Sequence, residues 1–397
     1  MKLLKIVYKF LAGLCILSFI LLILQYGVNA KYSFPEPQPF NGKFIYNPYR
    51  TIDPGKWRKA NYHAHARKFL GQSEKAKRSI SFIDSLYRSF GYDIISISDY
   101  QVINRFESKN EWYIPVYEHG YQYYKTHHLV LNPKKVCWLD FPFRQTLSNK
   151  QFIIDQLHKD AATLITIVHP IYRKAYSSND LKYLGNYNCM EIANHERYFT
   201  ASYDTIMSNG HPVFIMADDD CHDLSNVKEV TTSFNEINTD LVKDSILNAL
   251  STGRSYGVKL NTRTLKTNEE KRVALLNLPE INAIIFQNDS LTVSLSQTVK
   301  TIKFIGQHGK EIRRITDQSK GSCHFSKEDT YIRTEIECND GTLYFLNPLI
   351  RYDGVRLSYY APVFNAFATW AWRSAFFCLL ILIFIIRYRK RCITVKK

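Results

Sequence analysis

The chain has no internal repeat and no low-complexity tract, which excludes a solenoid, a propeller or a mainly disordered architecture. Acids are in short supply: 36 Asp and Glu stand against 52 Lys and Arg, a net charge of +16 at neutral pH. The two ends hold no acid at all. Residues 1–30 carry three basic residues and residues 361–397 carry seven, so the part between carries +16 − 10 = +6. That modest excess favours anionic partners such as phospholipid headgroups or phosphorylated glycans. Nucleic acid is not favoured, because the tyrosines are dispersed (Tyr113, Tyr117, Tyr121, Tyr123 and Tyr124 form the densest group) rather than set in a module. Of the cysteines, Cys15, Cys378 and Cys392 fall in or beside apolar segments. The remaining Cys137, Cys189, Cys221, Cys323 and Cys338 are odd in number, so at least one has no partner among them. Cys323 and Cys338 could pair, though spacing alone does not establish it.

Long apolar runs are confined to the ends. Lys2, Lys5 and Lys9 precede an uncharged stretch from Phe10 to Ala30, ample for a membrane helix of ~20 residues. Val28-Asn29-Ala30 also resembles a cleavage site, so residues 1–30 read as an anchor or a removed signal segment. A second membrane helix is expected over 364–387, with Trp370 and Trp372 as an interfacial belt and Arg373 snorkelling toward it. A basic tail at 388–397 follows. Positive flanks at both outer ends predict cytoplasmic termini, with the main domain on the extracytoplasmic (periplasmic) side, close to the membrane.

Between the ends, histidines and acids recur at or near the ends of short apolar runs. In order they are His63-Ala64-His65, Glu118, His127-His128, Val168-His169-Pro170 and Asp220-Cys221-His222. The runs Ile94 to Ile97, Leu164 to Val168 and Pro212 to Ala217 read as strands covered on both faces. Helix-like stretches separate them: Ser73 to Phe90, Ser148 to Lys159, Ala201 to Ser208 and Thr239 to Ser251. Strand–helix alternation predicts an α/β barrel, in which strand ends converge on one mouth. Nitrogen and oxygen donors gathered there suit divalent metal ligation. Cys221 and His119 would point away from such a site by strand alternation. His127 and His128 cannot both face it on an extended strand. Positive groups for an anionic substrate would come from Arg67 and Arg173, and Asn194, His195 and Arg197, after the strand end Met190 to Ala193, are similar candidates.

These motifs, with Ile97-Ser98-Asp99-Tyr100, Pro115-Val116-Tyr117-Glu118, His128-Leu129-Val130-Leu131 and Met190-Glu191-Ile192-Ala193-Asn194, resemble the polymerase-and-histidinol-phosphatase (PHP) superfamily. The resemblance implies a distorted (β/α)7 barrel over 56–260, divalent metals (Zn, Mn or Fe) and phosphoester hydrolysis. It assigns His63, His65 and Asp220 to a first metal, Glu118 as the bridge, and His128 and His169 to a second. A third site would need an Asp soon after the His-X-His pair and a His after Asp99. No Asp occurs within Ala66 to Glu74, and Tyr100 follows Asp99. A two-metal site is therefore expected. His222, the one remaining ligand of the third metal, is left for acid–base work with Asp220.

A polar linker is expected over 261–280 and a small antiparallel β-sandwich over 281–355, as in the exported, carbaryl-hydrolase-like branch that ends in a signature such as Asn347-Pro348. The leading expectation is a membrane-tethered phosphoesterase acting on an anionic small-molecule, glycan or lipid phosphoester. The alternatives are a catalytically degenerate ligand-binding module, or a hydrolase of a non-phosphorus ester or carbamate. Oligomeric state is not legible in the sequence.

Overall fold

A computed structural model describes residues 2–67, 79–106, 108–195 and 197–394. The expected helix from Ser73 lies partly outside them; its described part is Ile80–Arg88, capped by the Ser79 hydroxyl. The other expected helices form at Leu147–Leu157, Thr200–Ser208 and Lys243–Ser251. The first begins at a capping box in which the Thr146 and Asn149 side chains satisfy each other's backbone N–H groups.

The strands form a mixed α/β fold with two main sheets. One runs in the order Phe214–Asp218, Cys189–Asn194, Leu164–Ile167, His128–Leu131, Val116–His119. Its first three strands are parallel, and His128–Leu131 is antiparallel to both neighbours. They are buried on both faces, which is why they read as unbroken apolar runs. The other sheet contains Trp57–Asn61, Ile94–Ile95, Ser233–Asn238 and Ser255–Lys259.

The expected (β/α)7 barrel is not shown, because the sheets do not close on each other. They meet through isolated bridges, Ala64 with Cys221 and Tyr100 with Glu118. Asp220 (φ 50°) and Gln101 (φ 54°) stand at these junctions.

The region after residue 281 is antiparallel, as expected, but its pairing is not that of a separate sandwich. Leu343–Tyr352 pairs with Ser255–Lys259, so one ten-stranded sheet runs from Ile281–Gln287 through to Ile94–Ile95. Asn347 ties the two sheets together: its Oδ1 accepts from Ile215 N and its Nδ2 donates to the Gly253 and Ser255 carbonyls. The expected linker contains the helix Asn268–Leu276, whose Lys271 is buried and donates to the Val227 and Val230 carbonyls. Cys323 and Cys338 are free, as are Cys15, Cys137, Cys189, Cys221 and Cys378.

Lys2–Gly27 and Ala366–Thr394 are helices. Within them Leu4–Gly27 and Ala366–Arg389, with mean hydropathies of 2.5 and 2.0, have the length and apolarity to cross a membrane. Their ends are clasped where Tyr32–Ser33 pairs with Val363–Phe364.

Candidate metal centre

Strand ends and left-handed turns bring the site together. His63 and His65 follow Trp57–Asn61, Glu118 ends Val116–His119, and His169 and Asp220 sit in turns at φ 32° and 50°. Strained non-glycine backbone of this kind persists where surrounding structure over-determines it, typically at functional sites.

His63 Nε2 lies 3.4 Å from Glu118 Oε2 and 3.1 Å from Asp220 Oδ1. His65 Nε2 lies 3.1 Å and 3.3 Å from the same two oxygens. These four buried residues form one possible metal group. A tetrahedral cation with ligands at about 2.0–2.2 Å sets neighbouring donors roughly 3.3–3.6 Å apart, so the spacing suits one ion. All four atoms are buried without a hydrogen-bond partner. Such atoms are costly unless something completes them, and a cation would.

Glu118 turns its other oxygen the opposite way. Oε1 lies 2.6 Å from His127 Nδ1 and 3.2 Å from His169 Nε2, a second buried group. Here the expectation of His128 is corrected to His127. In the antiparallel ladder His119 stands opposite His128 and Glu118 opposite Leu129, so Glu118 shares its face with Leu129 and His127. His128 shares the other face with His119, and its Nε2 meets the Tyr176 hydroxyl at 2.9 Å. Gly120 makes the approach possible: a Cβ there would meet the His127 ring at 2.3 Å.

Protonation follows from this crowding. Burial alone would raise the Glu118 carboxyl, but His127 and His63 hold it well below the usual carboxylate range. His63 and His222 do the same for Asp220 against its burial. Burial would lower His63, but Asp220, Glu118 and Glu191 raise it well above its usual value. A proton on His63 thus supplies positive charge that a divalent ion would otherwise bring, and metal binding would release it, whereas burial pushes His127 down to about 4 and leaves that ring without one near neutral pH.

Glu191, which the sequence reading gave no role, holds the assembly from behind. Its Oε1 meets His63 Nδ1 at 2.9 Å, and its Oε2 accepts from His169 N and Asn194 Nδ2. Asp99 accepts from the Ala66 and Arg67 backbones, fixing the turn after His65. Asp218, pushed up to about 8 by burial and then by Glu191, accepts from Tyr62 N and Asn235 Nδ2.

A cavity of 810 Å³ opens over the cluster, lined by His169, Asn194, Asp220 and His222 together with Lys125, Arg173, Arg197 and Lys228. His222 stacks on His65 at 4.4 Å, with Nε2 3.2 Å from Asp220 Oδ1; it belongs to neither metal group. Tyr100 covers the other face of His65 at 4.7 Å. Arg173 lies over the Tyr123 ring at the rim. Arg67 does not line the cavity: its side chain is 62% exposed and 3.9 Å from Asp99. Arg197 and His195, candidates by their place after a strand end, do line it, whereas Lys125 and Lys228 were not singled out from sequence, because only the turn geometry aims them inward. Cys221 turns into the core, as alternation requires.

No family profile and no curated protein matches the chain. Among solved structures, a two-domain protein "containing predicted PHP-like metal-dependent phosphoesterase" from Bacteroides vulgatus ATCC 8482 matches with a TM-score of 0.39 and 10% identity. The match covers 84% of this chain and all of that one. PsfC from Pseudomonas syringae PB-5123 matches with a TM-score of 0.37 and 12% identity, over 55% of this chain and 99% of its own. Function at this degree of likeness must be read from the chain's own residues.

Proposed function

We propose that the chain is a membrane-tethered, metal-dependent phosphoesterase with its site on the extracytoplasmic side and two divalent cations bridged by Glu118. The observation that carries this reading is Glu118 itself, fully buried with one oxygen facing His63, His65 and Asp220 and the other facing His127 and His169. The donor set of imidazoles and carboxylates suits Zn, Mn or Fe. Bound cations would supply the positive charge that makes water nucleophilic near neutral pH and offsets charge on phosphoryl oxygens.

The protein's own residues supply the rest. Arg173, Arg197, Lys125 and Lys228 line the cavity and bind the anionic substrate against the cluster. Glu191 and Asn194 keep His63, His169 and Asp220 oriented. As water oxygen bonds to phosphorus, the bond from phosphorus to the alcohol oxygen breaks, and that oxygen takes a proton. His222, on the cavity wall beside Asp220, is placed to donate it and regains one from the water.

The test is elemental analysis of the purified full chain in detergent after exposure to Mn and Zn, followed by assay on p-nitrophenyl phosphate. Two metals per chain with phosphate release are expected. A chain that binds neither metal overturns the reading.

A further inference from the structure

The helix Leu147–Leu157 fixes where the membrane helices leave the domain. Its start is at the level of the cavity mouth: just before it, Asp140 accepts from the backbone of Tyr121, a residue of the cavity wall. Its end is at the opposite level, where His158 meets the Asn186 carbonyl ahead of strand Cys189–Asn194. Tyr32 donates to Asp155 near that far end. Gln25 Oε1 accepts from Asp140 N, and the Tyr26 hydroxyl accepts from Phe143 N, both at the mouth end. Traced from Tyr32 back to Tyr26, the chain therefore climbs toward the mouth. Helix Ala366–Thr394 climbs beside it, from Asn365 at the Lys31 carbonyl to Trp372 donating to the Tyr26 carbonyl. Beyond that level the apolar segment Leu4–Gly27 runs on from Gln25 to Leu4, about 33 Å of helix.

The mouth itself has the chemistry of a membrane interface. Phe143 and Ile171 stand 64% and 55% exposed on separate loops there, and Tyr123 is 69% exposed with Arg173 over its ring. Trp372, at the level of Tyr26, belongs to the residue type that settles at headgroup depth. Exposed apolar side chains ringed by cations suit an anionic lipid surface.

From these placements we infer that the cavity opens onto the bilayer and takes the phosphorylated headgroup of a lipid held in it. This rests on the membrane-tethered phosphoesterase reading above and narrows its substrate class. The phosphate lies against Lys125, Arg173, Arg197 and Lys228, and the lipid's apolar part stays in the membrane that Phe143 and Ile171 face. A soluble ester of the same headgroup offers the same phosphate without that second contact.

The full chain, loaded with Mn, is reconstituted in phosphatidylcholine vesicles containing phosphatidic acid. A photo-crosslinking benzoylphenylalanine replaces Ile171 in one sample and Lys327 in another. Lys327 lies in the turn before Tyr331–Glu337, at the end of that strand remote from Glu337, Leu343 and Lys259 on the mouth side. Crosslinks to lipid are expected at 171 and not at 327. Phosphate release from phosphatidic acid should exceed that from glycerol 3-phosphate by about tenfold or more, through membrane confinement of the substrate. The F143S/I171S double variant should lose most of that advantage while its turnover of p-nitrophenyl phosphate is unchanged. Equal crosslinking at both positions, or at neither, overturns the inference. So does turnover of p-nitrophenyl phosphate with no preference for the lipid, which leaves the phosphoesterase reading standing. Absence of turnover on every ester overturns both.

Discussion

Two of the charged clusters among the described residues, around Arg333 and around Glu118, are completed in different ways. Arg333 sends Nε and Nη2 to the two oxygens of Asp204 at 2.7 Å each, and Nη1 to Glu335. All three nitrogens have carboxylate partners, and the group closes on itself. Around Glu118 the reverse holds: His63 Nε2, His65 Nε2, Glu118 Oε2 and Asp220 Oδ1 are buried within reach of one another yet none is hydrogen-bonded. A fork of donors matched to carboxylates is a structural device. Imidazole nitrogens and carboxylate oxygens turned toward a common centre, with a proton on His63 standing in for outside charge, make a set that a cation could complete. Both hold opposite charges in close contact; the count of satisfied atoms tells them apart.

Removing one member of each cluster should break the comparison most sharply. Asp220→Asn withdraws a charge from the first metal group while keeping the shape. Several kcal/mol of transition-state stabilisation should go with it, about a 10³-fold loss of phosphoester turnover. Elemental analysis should show metal lost, and the metal-free chain should melt somewhat lower, because His63 and His222 lose the carboxylate they hold charged. Arg333→Ala should reverse the balance. It leaves the buried Asp204 and the half-buried Glu335 without their cation, at a cost of about 3 kcal/mol of stability. Melting should reveal that loss while metal content per folded chain stays at the parent value. If Arg333→Ala also releases metal, the two clusters are not independent.

The next pair sharpens the contrast inside the site. His127→Ala removes a ligand from the second group, and metal affinity there should fall about 100-fold or more. His128→Phe should leave metal content alone and cost about 1–3 kcal/mol of stability, because the buried Tyr176 hydroxyl loses its partner. Titration of Mn into the apo chain separates the two. If His128→Phe loses metal and His127→Ala keeps it, the register between Val116–His119 and His128–Leu131 is not the one described.

This pair also marks where the sequence stops being legible. His63, His65, Glu118, His169 and Asp220 could be picked out because each terminates or follows a buried strand, and that needs only apolar runs and their ends. Choosing between His127 and His128 needs the parity of an antiparallel pair, which is set by the Gly120 turn rather than by either strand. Sequence reading took the wrong one of two neighbours for that reason. Closure was misjudged for a related cause: the two sheets meet only through the single bridges of Ala64 with Cys221 and Tyr100 with Glu118, where ladders were expected, and no periodicity reports that. The span 261–280 looked like a linker because Lys271 and its neighbours are charged. Yet Lys271 is buried on the Val227 and Val230 carbonyls, a satisfaction visible only once the chain is folded. Arg67 looked like a rim group by spacing from His65, but its backbone N is drawn to Asp99 and its side chain points to solvent.

The gentlest substitution tests whether the unsatisfied shell is held in place from outside. Glu191→Gln keeps the size and one carbonyl oxygen of a side chain that touches no proposed ligand atom directed at the metal. Its work is on the reverse faces: Oε1 at His63 Nδ1, which leaves Nε2 turned toward Glu118 and Asp220, and Oε2 at His169 N. An amide can serve one of these contacts as acceptor, but its NH2 group must then oppose an N–H donor. Either His63 turns or the His169 loop shifts. Carboxylates in this position raise the basicity of the ligating imidazole, so the expected loss is about 10–100-fold in metal affinity, with both metals still bound at saturation. The corresponding change near Arg333, Glu335→Gln, should not alter metal binding at all. A Glu191→Gln chain that binds Mn as tightly as the parent would mean that the orientation of His63 is fixed by packing alone, and that the histidine is placed by the fold rather than by its carboxylate neighbour.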